Sequence, residues 1–141
     1  MESPPAHRLW PIVWAPLGVL VIHGALSAGF GHRRELDPLF HFLGGAGGAY
    51  AVLQTLERFG GSLPEPAIRY RTAIAVGLVA IVAILWELME FASDRLLGSH
   101  IQRGPADTWS DIALGIGGAM VVALVASTLG ARRGEPGQPT A

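Results

Sequence analysis

The chain has 141 residues, of which 50% are hydrophobic and only 15% are charged, and its formal net charge is −1. Ordinary soluble domains carry about 25% charged residues, so this composition indicates an integral membrane protein rather than a soluble one. The near-zero charge argues against nucleic-acid binding, and the absence of cysteine excludes disulfides, thiolate metal sites and a cysteine nucleophile.

Four apolar segments follow one another along the chain, each near the length of about 20 residues that crosses a bilayer as a helix. We predict spans at about 10–30, 37–57, 71–97 and 108–129. The apolar run of the first segment is longer than that of a cleaved signal peptide, so we interpret it as an anchor. The predicted fold is all-α: a polytopic integral membrane protein with four transmembrane helices in a compact bundle.

We place these spans in a single transmembrane domain, residues 1–130, followed by a disordered polar tail, residues 131–141. The side that holds both termini carries six arginines, against four on the other side. By the positive-inside rule, this difference places both termini in the cytoplasm. The predicted location is the bacterial inner (cytoplasmic) membrane, which the chain crosses several times.

Closely spaced glycines occur in two of the segments. They are Gly44 and Gly48 in the second segment, and Gly115 and Gly118 in the fourth. Small residues let helix backbones approach each other in lipid, where no hydrophobic force drives helices together. We therefore predict that these four glycines lie at helix–helix contacts.

Ionisable side chains collect at one end of three segments. They are Asp37 and His41 at the start of the second, Glu87, Glu90 and Asp94 at the end of the third, and Asp107 and Asp111 at the start of the fourth. Spacings of three and four residues place such side chains on one face of a helix. The hairpin between the third and fourth segments brings its two acidic ends to the same depth, so we predict one polar cluster.

Four of these residues, namely His41, Glu87, Glu90 and Asp111, lie about one helical turn or more inside the segments. A charged group at the bilayer centre costs about 2.5–3.5 kcal/mol on insertion scales. These side chains must therefore face the bundle interior and be protonated, paired or bound to a cation. We hypothesise a metal or ligand site, for which Mg²⁺, Mn²⁺, Ca²⁺ and Zn²⁺ all remain open.

A second group of side chains is predicted to surround this site: Asp37, Asp94, Arg95, His100 and Asp107. Simpler roles remain open for several of them. Asp37 and Asp107 could act only as helix N-caps. Arg95 and Arg103 could neutralise carboxylates or contact lipid headgroups, and Asp94 could be solvated at its helix end.

The pattern "WELMEFASDRLLG…GPADTWSDIALGIGGA" resembles the C-terminal half of the YjdF-like family of small bacterial inner-membrane proteins. More distantly, "DPLFHF" followed by an acidic helix resembles the VanZ-like membrane family. The resemblance implies a helical membrane protein with clustered acids and histidine. The link of VanZ-like proteins to glycopeptide-type resistance implies envelope or lipid chemistry. Gly115 stands where these families tend to carry Asp or Asn, so a polar ligand is missing here.

Three functions therefore compete. The cluster could bind a divalent metal or polar ligand and act on a lipid-linked substrate. Alternatively, the chain could be a non-catalytic accessory subunit of a larger membrane assembly, such as a photosynthetic or respiratory complex. A proton- or cation-coupled carrier is the third hypothesis, and four spans would need a homo-oligomer to build its pathway. Whether the protein is an enzyme stays open, and its one certain partner is the lipid bilayer.

Overall fold

The computed structural model describes residues 9–30, 35–59 and 70–133. They form four α-helices, which we label α1 (Trp10–Phe30), α2 (Asp37–Phe59), α3 (Arg71–Leu97) and α4 (Pro105–Arg133). The all-α prediction is confirmed. Helix α4 starts three residues before the predicted boundary and continues to Arg133, and the rest of the predicted tail lies outside the described residues.

Three of the four helices are long and apolar enough to cross a membrane. These candidate spans are Trp10–Ser27, Arg71–Leu97 and Pro105–Leu129. The predicted span on α2 is not among them, although the 23 residues of α2 would be long enough. Glycines and polar side chains such as Asp37, His41 and Glu57 lower its hydropathy.

Helix α2 is the centre of the fold, because it contacts α1, α3 and α4, while α3 and α4 also contact each other. The buried core between α2, α3 and α4 is built from small and medium side chains. It consists of Ala49, Leu53, Ala75, Val79 and Ala119. Small core residues let the helices approach closely, as expected for helices that associate in lipid.

The contact between α2 and α4 joins backbone to backbone. A Cβ added at Gly45 would overlap the carbonyl oxygen of Gly115, and one added at Gly118 would overlap the carbonyl oxygen of Phe42. Gly48 packs against α3, since a Cβ there would lie 3.2 Å from a methyl group of Val79. Glycine at positions 45 and 118 therefore permits the close approach of α2 and α4, which a larger residue would prevent.

Gly44 departs from the packing prediction, because a Cβ added there would meet nothing within 4 Å. The motif "GGAGG" presents more than one small-residue face, and Gly45, Gly47 and Gly48 are the glycines in it that approach other helices. A Cβ at Gly47 would lie 3.2 Å from the backbone nitrogen of Pro16 in α1. The sequence could not tell which of the two faces is buried.

Large apolar side chains cover the outside of the candidate spans. Val82, Leu85, Leu88 and Phe91 on α3 are each exposed by between 46% and 60%. In a soluble protein, such a surface would mark an interaction site or an aggregation hazard. On helices that are long and apolar enough to cross a membrane, such a surface is suited to contact with lipid.

The connection between α3 and α4 is an ordered turn. Gly98 ends α3 in the left-handed conformation, with φ 65°, which glycine adopts without strain. The Asp94 carboxylate accepts hydrogen bonds from the Ser99 hydroxyl and from the backbone N–H groups of Ile101 and Gln102. This turn brings the first residues of α4 beside the last turns of α3.

Candidate functional site

His41 lies among three carboxylates that come from three helices. Its Nε2 is 3.6 Å from Asp37 Oδ1 on the same helix and 3.8 Å from Asp111 Oδ2 on α4. Its Nδ1 is 4.0 Å from Glu87 Oε1 on α3. We call Asp37, His41, Glu87 and Asp111 the acid–histidine cluster. Its position follows from the fold, because the start of α2, the end of α3 and the start of α4 meet there.

The carboxylates of the cluster are deeply buried. Asp37 is 5% exposed, Glu87 4% and Asp111 3%. A buried carboxylate loses its hydration and is tolerated only where other groups compensate for that loss. The local partners of each carboxylate therefore decide what the site can do.

Glu87 has an incomplete set of partners. Its Oε1 atom is buried and has no hydrogen-bond partner among the described residues, although it points toward the His41 ring. A buried acceptor without a partner costs about 1–3 kcal/mol, and more when it is charged. Such an atom in a native structure calls for an explanation, and a bound ion nearby is one of those expected.

Glu90, which we predicted as a ligand, has a different environment. It is 7% exposed, and its Oε1 accepts a hydrogen bond of 2.8 Å from the indole N–H of Trp86, one turn earlier on α3. This bond takes up part of its acceptor capacity. Glu90 therefore lies beside the cluster, while the ion pairs of His41 are with the other three carboxylates.

Arg103 in the α3–α4 connection compensates two carboxylates. It forms an ion pair with Asp37 through its terminal nitrogen, and its Nε donates a 3.0 Å hydrogen bond to Asp107 Oδ2. Burial works against the charge of Arg103, but the carboxylates of Asp107 and Asp37 outweigh it and raise the pKa of Arg103. Among the simpler roles considered for this arginine, neutralisation of carboxylates is the one that the structure displays.

Three predicted neighbours of the site lie in or near the connection instead. The carboxylate of Asp94 holds backbone groups of the turn. Arg95 is exposed, and its guanidinium lies 5.4 Å from the ring centre of Phe91. His100 is exposed and has a positive φ of 56°. Asp94 therefore serves the turn, while Arg95 and His100 are exposed beside it.

A cavity of about 270 Å³ adjoins the cluster, between α1, α2 and α3. Asp37 and His41 line it, together with Trp86 and with His23 of α1. The His23 ring packs against Phe40 at 4.7 Å between centroids. This cavity was not predicted from the sequence. The one signal for it was the "GGAGG" motif, because glycines that do not contact another helix leave space beside the helix.

Comparison with protein families matches residues 9–132 to the family described as "Predicted membrane protein (DUF2238)". The chain belongs to this family. No curated protein and no solved structure matches the chain. Membership confirms the prediction of a membrane protein, and together with the three apolar spans it supports a membrane location.

The cluster of this DUF2238 protein has the donor atoms of a metal site. Asp37, His41 and Asp111 each offer one ligand atom, and these atoms lie within 4.8 Å of one another. Glu87 Oε1 is not part of this set, because it lies 4.0 Å from Nδ1, the other nitrogen of the same imidazole. Ligand atoms bound to one metal at about 2.0–2.2 Å lie roughly 3–4 Å apart, so a small contraction would bring this set into range.

Proposed function

We propose that this DUF2238 protein uses its acid–histidine cluster to bind one divalent metal ion, which takes part in chemistry on a lipid-linked or envelope substrate. The observation that carries the proposal is the group formed by Asp37, His41 and Asp111, whose ligand atoms lie within 4.8 Å of one another. An ion bound to His41 Nε2 leaves the ring proton on Nδ1, and the buried Glu87 Oε1, which has no hydrogen-bond partner among the described residues, lies 4.0 Å from that nitrogen.

Charge balance among the described residues supports a divalent cation. The three carboxylates of the cluster are paired with His41 and with Arg103, which also compensates Asp107. If all three carboxylates are ionised and His41 is neutral, Arg103 balances one of their negative charges and is itself shared with Asp107, so the buried group stays net negative. Burying uncompensated charge costs several kcal/mol per ion, roughly, and a divalent ion supplies the missing charge.

The donor set narrows the choice of metal. Mg²⁺ and Ca²⁺ prefer oxygen ligands alone, whereas an imidazole among the carboxylates suits Zn²⁺ and other transition metals. Mn²⁺ also favours carboxylate ligands and is commonly bound by several oxygen atoms. Zn²⁺ and Mn²⁺ are therefore the metals to test first. Either would act as a Lewis acid or activate bound water.

The proposal includes a membrane topology. We place all four helices across the inner membrane, with both termini in the cytoplasm and the cluster near the outer face. The three contacts of α2 with apolar spans support its insertion, because an enclosed helix needs less apolar surface than a lipid-facing one. The arginine difference supports the orientation.

Metal binding can be measured on the purified chain in phosphatidylcholine nanodiscs. Titration with MnCl₂ and with ZnCl₂, followed by elemental analysis, should show one ion per chain for at least one metal. Glu87→Gln should lower its affinity about tenfold or more, because even groups behind the ligands alter metal affinity 10–100-fold. The matched control is Glu57→Gln, an exposed glutamate of α2 that pairs with Arg71.

Two results would overturn the metal site. One is wild-type protein that binds neither metal with defined stoichiometry. The other is equal affinity in Glu87→Gln, Glu57→Gln and the wild type. A loss confined to Glu87→Gln supports the assignment.

A second candidate function, an accessory subunit of a larger membrane complex, is favoured by the open glycines of α1. A Cβ added at Gly18, Gly24 or Gly29 would meet nothing within 4 Å, so this helix offers small residues to a neighbouring chain. Native gel electrophoresis of solubilised membranes tests this function. A stable complex that Gly24→Leu disrupts would support it, and a chain that migrates alone would not.

A further inference from the structure

We infer that the cavity between α1, α2 and α3 binds one alkyl chain of a membrane lipid, whose polar group lies at the Asp37 and His41 end. This inference rests on the proposed function for the role of the polar end. It adds the class of ligand, because the shape and the chemistry of the cavity select an amphiphile.

The walls of the cavity are mostly apolar along its length. They include Val19 and Leu20 of α1, Leu78, Val79 and Val82 of α3, and Val52 of α2. The polar lining comes from a small set, formed by Asp37, His41, His23 and the indole of Trp86. Asp37 and His41 belong to the first turns of α2, so the cavity runs from a charged end toward the apolar middle of that helix.

The size of the cavity fits a single chain. Its volume of about 270 Å³ lies just below the range of about 300–1,000 Å³ that is usual for small-molecule sites. Two acyl chains side by side would not fit, and water has few polar partners along the apolar walls. An alkyl chain fills such a space because it gains dispersion contacts along the whole wall.

The packing of the helices leaves a way in from the bilayer. Helix α1 contacts chiefly α2, and extensive contacts join α3 to α2 and α4. No comparable contact between α1 and α3 closes the cavity within the described residues. A lipid chain could therefore enter sideways between α1 and α3 without crossing water.

Gly44 leaves part of the cavity empty, and a larger side chain at this position would fill it. It lines the cavity, and a Cβ added there would meet nothing within 4 Å. The substitution Gly44→Leu places a side chain in the cavity without moving the backbone. Gly117 on α4 is also helical with nothing within 4 Å, but it is outside the cavity lining, so Gly117→Leu is the matched control.

The test uses phosphatidylethanolamine that carries a diazirine midway along one acyl chain. The full-length protein is reconstituted with this lipid, irradiated and mapped by peptide mass spectrometry. We expect labels on cavity residues such as Val79 and Val52, which are shielded from bulk lipid, their loss in Gly44→Leu and their retention in Gly117→Leu. Gly44→Ala, which adds a single methyl group, should lose only part of the labelling and serves as the second variant.

The results separate this inference from the proposed function. Labels on outer residues such as Leu85 alone, or labels on Val79 that survive in Gly44→Leu, would overturn the lipid assignment whatever the metal titration shows. Cavity labelling that Gly44→Leu abolishes, in a protein that binds neither Mn²⁺ nor Zn²⁺, would keep the lipid site and reject the metal site. Gly44→Leu should keep the metal affinity of the wild type, since its side chain adds no ligand and removes none.

Discussion

Arg103 forms an ion pair with Asp37, a residue 66 positions earlier in the chain. The arginine lies in the α3–α4 connection and the aspartate in the first turn of α2, so this pair fastens the hairpin to the central helix. The same guanidinium also binds Asp107 at the start of α4. The Arg103 side chain thus fixes the starts of α2 and α4 relative to each other. Asp37 belongs to the acid–histidine cluster, and Asp107 adjoins it.

Arg103→Leu should lower the free energy of unfolding by about 1–3 kcal/mol. Breaking a fully buried pair costs about 3–5 kcal/mol, but the Arg103 side chain is 30% exposed, so solvent offsets part of the loss. Thermal unfolding followed by tryptophan fluorescence can measure the change. Asp37→Asn in the Arg103→Leu background should add little further loss. Fully additive effects of the two substitutions would contradict the pairing.

Glu87→Gln should have opposite effects on stability without and with metal. In the presence of a chelator, the substitution should raise the free energy of unfolding. The reason is that a neutral amide replaces a buried carboxylate, one oxygen of which lacks a hydrogen-bond partner among the described residues. With metal at a hundred times its dissociation constant, wild type should gain about 2.7 kcal/mol, of which the variant should lose about half or more. Unfolding curves with chelator and with MnCl₂ or ZnCl₂ test the reversal, and a variant less stable under both conditions would contradict it.

Gly45→Ala and Gly118→Ala should each disrupt the contact between α2 and α4. The new methyl group would overlap a backbone oxygen, which cannot rotate away as a side chain can. Each substitution should therefore cost more than the usual 1 kcal/mol or so of a point mutation. Gly117→Ala is the control, and it should be neutral or stabilising by up to about 1 kcal/mol, because alanine favours helix more than glycine does.

Trp86→Phe should destabilise the end of α3 by removing the indole N–H that binds Glu90. The expected loss is about 1–3 kcal/mol, the cost of a buried acceptor without its donor. Glu90→Gln in the same background should recover part of the loss, since an uncharged side chain is easier to bury. Trp14→Phe is the control, because Trp14 is half-exposed and its 3.4 Å bond to Tyr50 is weak.

Asp94→Ala should loosen the α3–α4 connection. The backbone N–H groups of Ile101 and Gln102 lose their acceptor, so their amide hydrogens should exchange faster with solvent. Hydrogen-exchange mass spectrometry of the peptide over residues 98–104 can report this change. If the exchange of that peptide matched wild type, the assigned role of Asp94 in the turn would be wrong.

The sequence could predict the helices and the convergence of the cluster because both depend on local spacing. Asp37 and His41 share a face through i, i+4 spacing, and the hairpin connection forces α3 and α4 to meet. The sequence separated Glu90 from Asp94 by their depth in the segment, but it could not show that Trp86 provides a donor for Glu90 or that the turn provides donors for Asp94. The partnership of Arg103 with Asp37 depends on how that turn folds, which side-chain periodicity does not encode.

The same limit applies to the glycines and to the membrane spans. Gly44 and Gly45 are neighbours in the sequence, yet one faces a cavity and the other touches the backbone of α4. Which of them is buried depends on the rotation of α2 about its axis, and the partners of α2 set that rotation. The low hydropathy of α2 likewise reflects its central position among the other helices.

The order of synthesis gives the central position of α2 a further consequence. Its charged start emerges from the ribosome 66 residues ahead of Arg103. At about 5–20 residues per second, Asp37 waits roughly 3–13 s for its counter-ion, and Asp111 reaches His41 later still. Until then, the start of α2 lacks its ion pair with Arg103 and the neighbouring carboxylate of Asp111, so the last two helices complete the burial of the second.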